Sequence, residues 1–184
     1  MKIEGRKKNE YPKVMKELTI YILLMSEYSF LRDKSLSFFH ITERTLYRYI
    51  HDLELLLDYP ICQIGSVQKE FHLINTDEEE DPLYCESDML MPHLKESVQI
   101  DQHLARLYRL MKLYYMADDL FWDIRVDLRD SIADTNIEWV PIATALDIYR
   151  EDPTIGSLSR RTIERDLKLL HDTIKYVVQY DDFI

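Results

Sequence analysis

The stretch LSRRTIERDLKLL, residues 158–170, decides how the rest of the chain is read. Ser159 offers a side-chain oxygen to the free N–H groups of a first helical turn. Ile163, Leu167 and Leu170 follow at i, i+4 and i+7, which makes one apolar face. At about 100° per residue, Arg161, Arg165 and Lys168 fall on the opposite face. Arg160 lies beside them at the start of the turn. A helix with one buried and one basic face suits contact with a phosphate backbone.

The pattern occurs twice. A shift of 117 positions lands on ITERTLYRYIHDL, residues 41–53. Thr42 takes the cap, Leu46, Ile50 and Leu53 supply the apolar stripe, and Arg44, Arg48 and His51 match Arg161, Arg165 and Lys168. The same shift carries Thr45 onto Thr162, and Tyr59 onto Tyr176 where each helix is expected to pass into an extended run. An internal repeat of this kind dominates any reading of the fold.

Both copies resemble the recognition helix of bacterial regulators of the deoxyribonucleoside-repressor (DeoR) type and of the WYL-domain regulators, which reads roughly [ST]-x-R-T-I-x-R-D-[IL]-x-x-L. The second copy, SRRTIERDLKLL, fits every position. The first, TERTLYRYIHDL, has Leu46 for Ile and Tyr49 for the acidic residue. The resemblance therefore implies an acid-to-basic pair at Asp166 that the first copy lacks. It also implies a mainly α fold with small β wings, a tandem pair of winged helix-turn-helix modules that bind duplex DNA. The implied contacts are Arg44, Thr45, Arg48, His51 and Lys69 from the first module and Arg160, Arg161, Thr162, Arg165 and Lys168 from the second. Thr45 and Thr162 stand as phosphate anchors near the helix starts.

The chain has 184 residues, 46% hydrophobic and 31% charged, enough for two small cores. No apolar run approaches the roughly 20 residues of a membrane span, and the basic N-terminus lacks the apolar segment of a secretory signal. Cys62 and Cys85 make no disulfide framework. A cytoplasmic protein is expected. The formal charge of −11 opposes DNA binding, but it is uneven: residues 1–10 carry +2, 11–74 carry −1, 75–101 carry −8 and 102–184 carry −4. The local field at the two basic helices counts for more than the total.

Along the chain, Val14, Leu18, Tyr21, Ile22 and Met25 mark helix one of the first module after Pro12. Ser35–His40 marks helix two, and the recognition helix runs to Asp58, where Tyr59-Pro60 stops it. Ile61–Ile64 and Glu70–Ile74 around Gly65-Ser66 form the wing, with Gln68 and Lys69 at its tip. Residues 1–75 form the first module and 76–91 an acidic linker. The 17 residues from Asn75 to Met91 span about 21–25 Å if flexible. Residues 92–184 form the second module: a long helix over 92–116 that could also pair two copies as a homodimer, an inserted helix in Asp118–Glu138, helix two at Trp139–Arg150, and a short or atypical wing at Tyr176–Tyr180.

With three glycines, no P-loop or dinucleotide fingerprint can be built, and no nucleophile elbow appears. No enzyme, cofactor or metal site is expected; Cys85 with His93 and neighbouring acids offers at most a stray metal contact. The expected function is sequence-specific binding of double-stranded DNA by a bacterial transcriptional regulator. The alternatives are a winged-helix protein-interaction module with an acidic surface, or a plasmid or phage replication initiator.

Overall fold

A computed structural model describes residues 12–25, 30–57, 59–73, 101–120 and 142–183. They form α1 (Lys13–Leu24), α2 (Arg32–Phe39), α3 (Glu43–Leu56), β1 (Ile61–Ile64), β2 (Glu70–Leu73), α4 (Gln102–Leu120), α5 (Ile142–Glu151) and α6 (Arg160–Asp181). Among the described residues the protein is mainly helical with one small antiparallel hairpin. The linker over 76–91, residues 92–100 of the long helix and 121–138 of the insert lie outside the described residues.

Helix α1 is the hub. Every residue from Val14 to Leu23 is buried, so the helix has no solvated face over that span. It packs against α3, α4, α6 and β2. Such burial forces its polar side chains to find partners. The Lys16 ammonium donates to the Phe39 carbonyl at 2.9 Å, at the negative end of α2, and the Thr19 hydroxyl donates to the Met15 carbonyl at 2.7 Å.

The turn between α2 and α3 is closed by two backbone bonds. Ile41 N–H donates to the Leu36 carbonyl at 3.2 Å and His40 N–H to the Ser37 carbonyl at 3.4 Å. This is the paired arrangement that ends a helix on a left-handed residue, and His40 takes that conformation at φ 51°. A Cβ there is costly, so His40→Gly is expected to raise stability by about 0.5–1 kcal/mol. A urea midpoint that falls instead would show that the imidazole itself is needed.

The hairpin pairs Ile61 with Leu73 and Ile64 with Glu70. Leu31 bridges to Glu70, and Phe71 N–H donates to the Phe30 carbonyl at 2.9 Å, so the segment before α2 lies along the free edge of β2. Gly65 turns the hairpin at φ +99°, and a Cβ on it would lie 2.2 Å from the Gln68 carbonyl oxygen. Glu54 on α3 accepts from Ile61 N–H at 3.1 Å and fixes where β1 leaves the helix.

The second repeat departs from the first after its basic turns. The strand expected at Tyr176–Tyr180 is helix: α6 runs unbroken to Asp181. Pro60 ends the extended α3 region in the first copy, but the 117-residue shift places Val177 there, which keeps its N–H and lets the helix continue. Leu170, Thr173, Ile174, Val177 and Tyr180 then form a helical stripe, all buried. No second hairpin occurs among the described residues. Element ends also move: α1 stops at Leu24, α2 begins at Arg32 and α3 ends at Leu56.

The lower half of α6 docks on the first repeat. Tyr180 hydroxyl lies 3.0 Å from Ser35 Oγ and accepts from Leu31 N–H at 3.2 Å. Phe38 packs on Tyr176 and Tyr180 at centroid distances of 4.6 and 5.2 Å. Lys34 Nζ sits 4.7 Å over the Tyr180 ring and bonds the Asp181 carbonyl at the end of α6. Buried residues of both repeats belong to one apolar core. Much of the apolar surface of α4, expected as a seam between modules or copies, is covered by α1, α5 and α6 of the same chain. Among the described residues no helix is long and apolar enough to cross a membrane.

Candidate nucleic-acid interface

The two basic helix starts are built alike. Thr45 N–H donates to Thr42 Oγ1 at 3.3 Å, and Thr162 N–H donates to Ser159 Oγ at 3.2 Å. In each copy the two hydroxyls then meet at 3.0 Å. The Thr45 and Thr162 hydroxyls, expected to anchor phosphates, therefore also close the caps. Arg48 Nη2 reaches Thr45 Oγ1 at 3.3 Å, which lays that guanidinium back along the first turn.

Above the caps, Arg44, Arg48 and His51 on α3 are exposed, as are Arg160, Arg161, Arg165 and Lys168 on α6. Arg160 is paired with Glu164 at 2.9 Å. Among the described residues no carboxylate pairs with Arg44, Arg48, Arg161, Arg165 or Lys168. Unpaired guanidinium groups at the positive end of a helix make a field that attracts phosphate.

The hairpin extends the α3 surface. Lys69 is half-buried, while Ser66, Val67 and Gln68 are exposed, Val67 at 90%. Tyr47 was not singled out in the sequence. It stands 40% exposed between the arginines of α3, and its hydroxyl donates to Gln63 Oε1 on β1 at 3.0 Å. Its ring meets Phe71 edge-on at 6.0 Å. Tyr47 thus ties helix to hairpin while remaining exposed to solvent. Its position beside Arg48 was the available signal.

Behind α6, Asp166 is 1% exposed and holds the helix from below. It accepts from Arg109 Nε at 3.0 Å and from the Tyr149 hydroxyl at 3.3 Å, and Arg106 Nε lies 3.5 Å away. Burial first, then the Asp166 charge, raises the Tyr149 pKa far above its ordinary value. The corresponding position in the first copy, Tyr49, is buried with the Lys13 ammonium 5.9 Å from its ring centre. The turn before α6 rests on Asp152, which accepts from Thr154 N–H at 2.9 Å and from the Tyr108 hydroxyl at 2.6 Å. Burial and this bond push the Tyr108 hydroxyl up to about 12.

Behind α3 lies a second polar cluster. Glu17 has no exposed surface, and its Oε2 is 2.6 Å from His103 Nε2 on α4. Lys13 Nζ bridges Asp52 Oδ2 at 2.6 Å and Glu17 Oε1 at 3.3 Å. Burial, followed by the neighbouring Asp52 carboxylate, pushes the Glu17 carboxyl up to about 8. Asp52 is held below its ordinary value despite burial, chiefly by the hydrogen bond from Lys13. Burial lowers His103.

A carboxyl near its usual value when unfolded and at about 8 when folded binds its proton only in the folded state between those limits. Stability contributed there is full at low pH and lost as pH rises toward 8. Glu17→Gln removes that titration. Relative to wild type it should gain on the order of 3 kcal/mol between pH 5 and pH 8.5, read by urea unfolding in EDTA. A pH-independent difference would refute the assignment.

Comparison of the chain with protein-family models, with curated proteins and with solved structures finds no match.

Proposed function

We propose that this chain is a sequence-specific double-stranded DNA-binding protein, a transcriptional regulator built from two winged-helix-like repeats, of which the first carries a hairpin. One observation supports this above the others: the same capped helix start, with exposed arginines at matched positions, is formed twice. Arg44, Arg48 and His51 would lie on one stretch of major groove, with Lys69 and the hairpin tip on the adjoining backbone. Arg161, Arg165 and Lys168 would take a second stretch. Because α3 and α6 are rooted in one core, the two contacts act at a fixed separation rather than on a flexible tether.

The test is selection from a pool of randomised duplexes. An enriched two-part motif whose halves tolerate no change of spacing supports the proposal. No enrichment at any salt concentration overturns it. One observation favours a second reading: the lower half of α6 is spent on packing, so its upper half could face a protein partner instead. In that case the enriched motif is single, and Arg44→Ala with Arg48→Ala removes binding while changes on α6 do not.

A further inference from the structure

We infer that Glu17, Asp52 and His103 form a binding site for a divalent transition-metal ion of the zinc class at the junction of α1, α3 and α4. One imidazole nitrogen and two carboxylate oxygens converge there, all within 4.8 Å of one another. Two ligands at about 2.1 Å from one tetrahedral ion lie about 3.4 Å apart, so side-chain adjustments of up to about 1.4 Å bring the three donors onto one ion. A second observation points to a ligand. Glu17 Oε1 is buried without a hydrogen-bond partner. The Lys13 ammonium lies 3.3 Å from it.

Lys13 occupies the place a cation would take. Its side chain is 46% exposed, so the ammonium can withdraw into water when an ion enters. With three protein ligands the ion keeps an open position for water. The imidazole selects zinc, iron, cobalt or nickel over magnesium and calcium, which take all-oxygen shells. Positions 17, 52 and 103 form no sequence motif, because each comes from a different helix. The site does not depend on DNA binding, although Asp52 lies on the helix that carries Arg44, Arg48 and His51.

The experiment is calorimetric titration of the full chain with Zn2+ alone at pH 7.5. One ion per chain is expected, with a dissociation constant of about 10 μM or tighter. His103→Gln should weaken it at least about 30-fold. Lys13→Met should tighten it about 5-fold or more, since it removes the competing cation, and circular dichroism should show both variants folded. Cys62→Ser should leave it unchanged. Absence of saturable binding, binding that survives His103→Gln, or binding that does not tighten in Lys13→Met would each overturn the assignment. If His103→Gln fails to fold, the Lys13→Met result alone decides.

Discussion

Asp166→Ala is expected to lower the unfolding free energy by about 3–5 kcal/mol. The carboxylate is almost wholly buried, and it is the acceptor for Arg109 Nε and the Tyr149 hydroxyl. Removing it leaves the Arg109 guanidinium, 15% exposed, without its counter-charge and a buried phenol without an acceptor. Arg106, with 41% of its side chain exposed, recovers water and adds little. Asp166→Asn keeps an oxygen for Tyr149 and should cost less than alanine. Urea unfolding checks both. A loss under about 1 kcal/mol for alanine would mean that α6 is held by its apolar stripe alone.

Arg161→Ala combined with Arg165→Ala is expected to remove specific binding to the selected duplex while leaving the urea midpoint within error of wild type. Both side chains are exposed, and neither pairs with a described carboxylate, so the fold does not use them. If each reads a guanine edge or a phosphate, the pair carries roughly 2–6 kcal/mol, a loss of at least about 30-fold. Retained affinity would place α6 off the DNA and leave the first repeat as the sole reader.

The order of elements in the first repeat was legible in the sequence, with helix ends displaced by up to three residues. Its apolar periodicities, the Thr42 cap and the Gly65-Ser66 turn are local signals, and local signals fix local structure. The second repeat was legible only as far as its basic turns. Tyr176–Tyr180 is rich in β-branched and aromatic residues and reads as a strand by propensity, yet its side chains also fall at helical spacing. Without a proline to stop it, the helix won because that stripe lands on Phe38, Phe39 and Ser35 from far along the chain. The two basic helix faces were readable because the side chains of each lie on a single helix at fixed spacing. The partners of Asp166, and the meeting of Glu17, Asp52 and His103, were not, because each joins helices distant in sequence.

The most direct test of contact with a phosphate backbone is the salt dependence of duplex affinity, measured for the full chain from low to physiological ionic strength. A linear fall of log affinity with log salt is expected, with a slope of about −0.9 per phosphate neutralised, and the Arg161→Ala, Arg165→Ala chain should show a shallower one. Affinity that does not change with salt, or a slope that is the same in both chains, would contradict it.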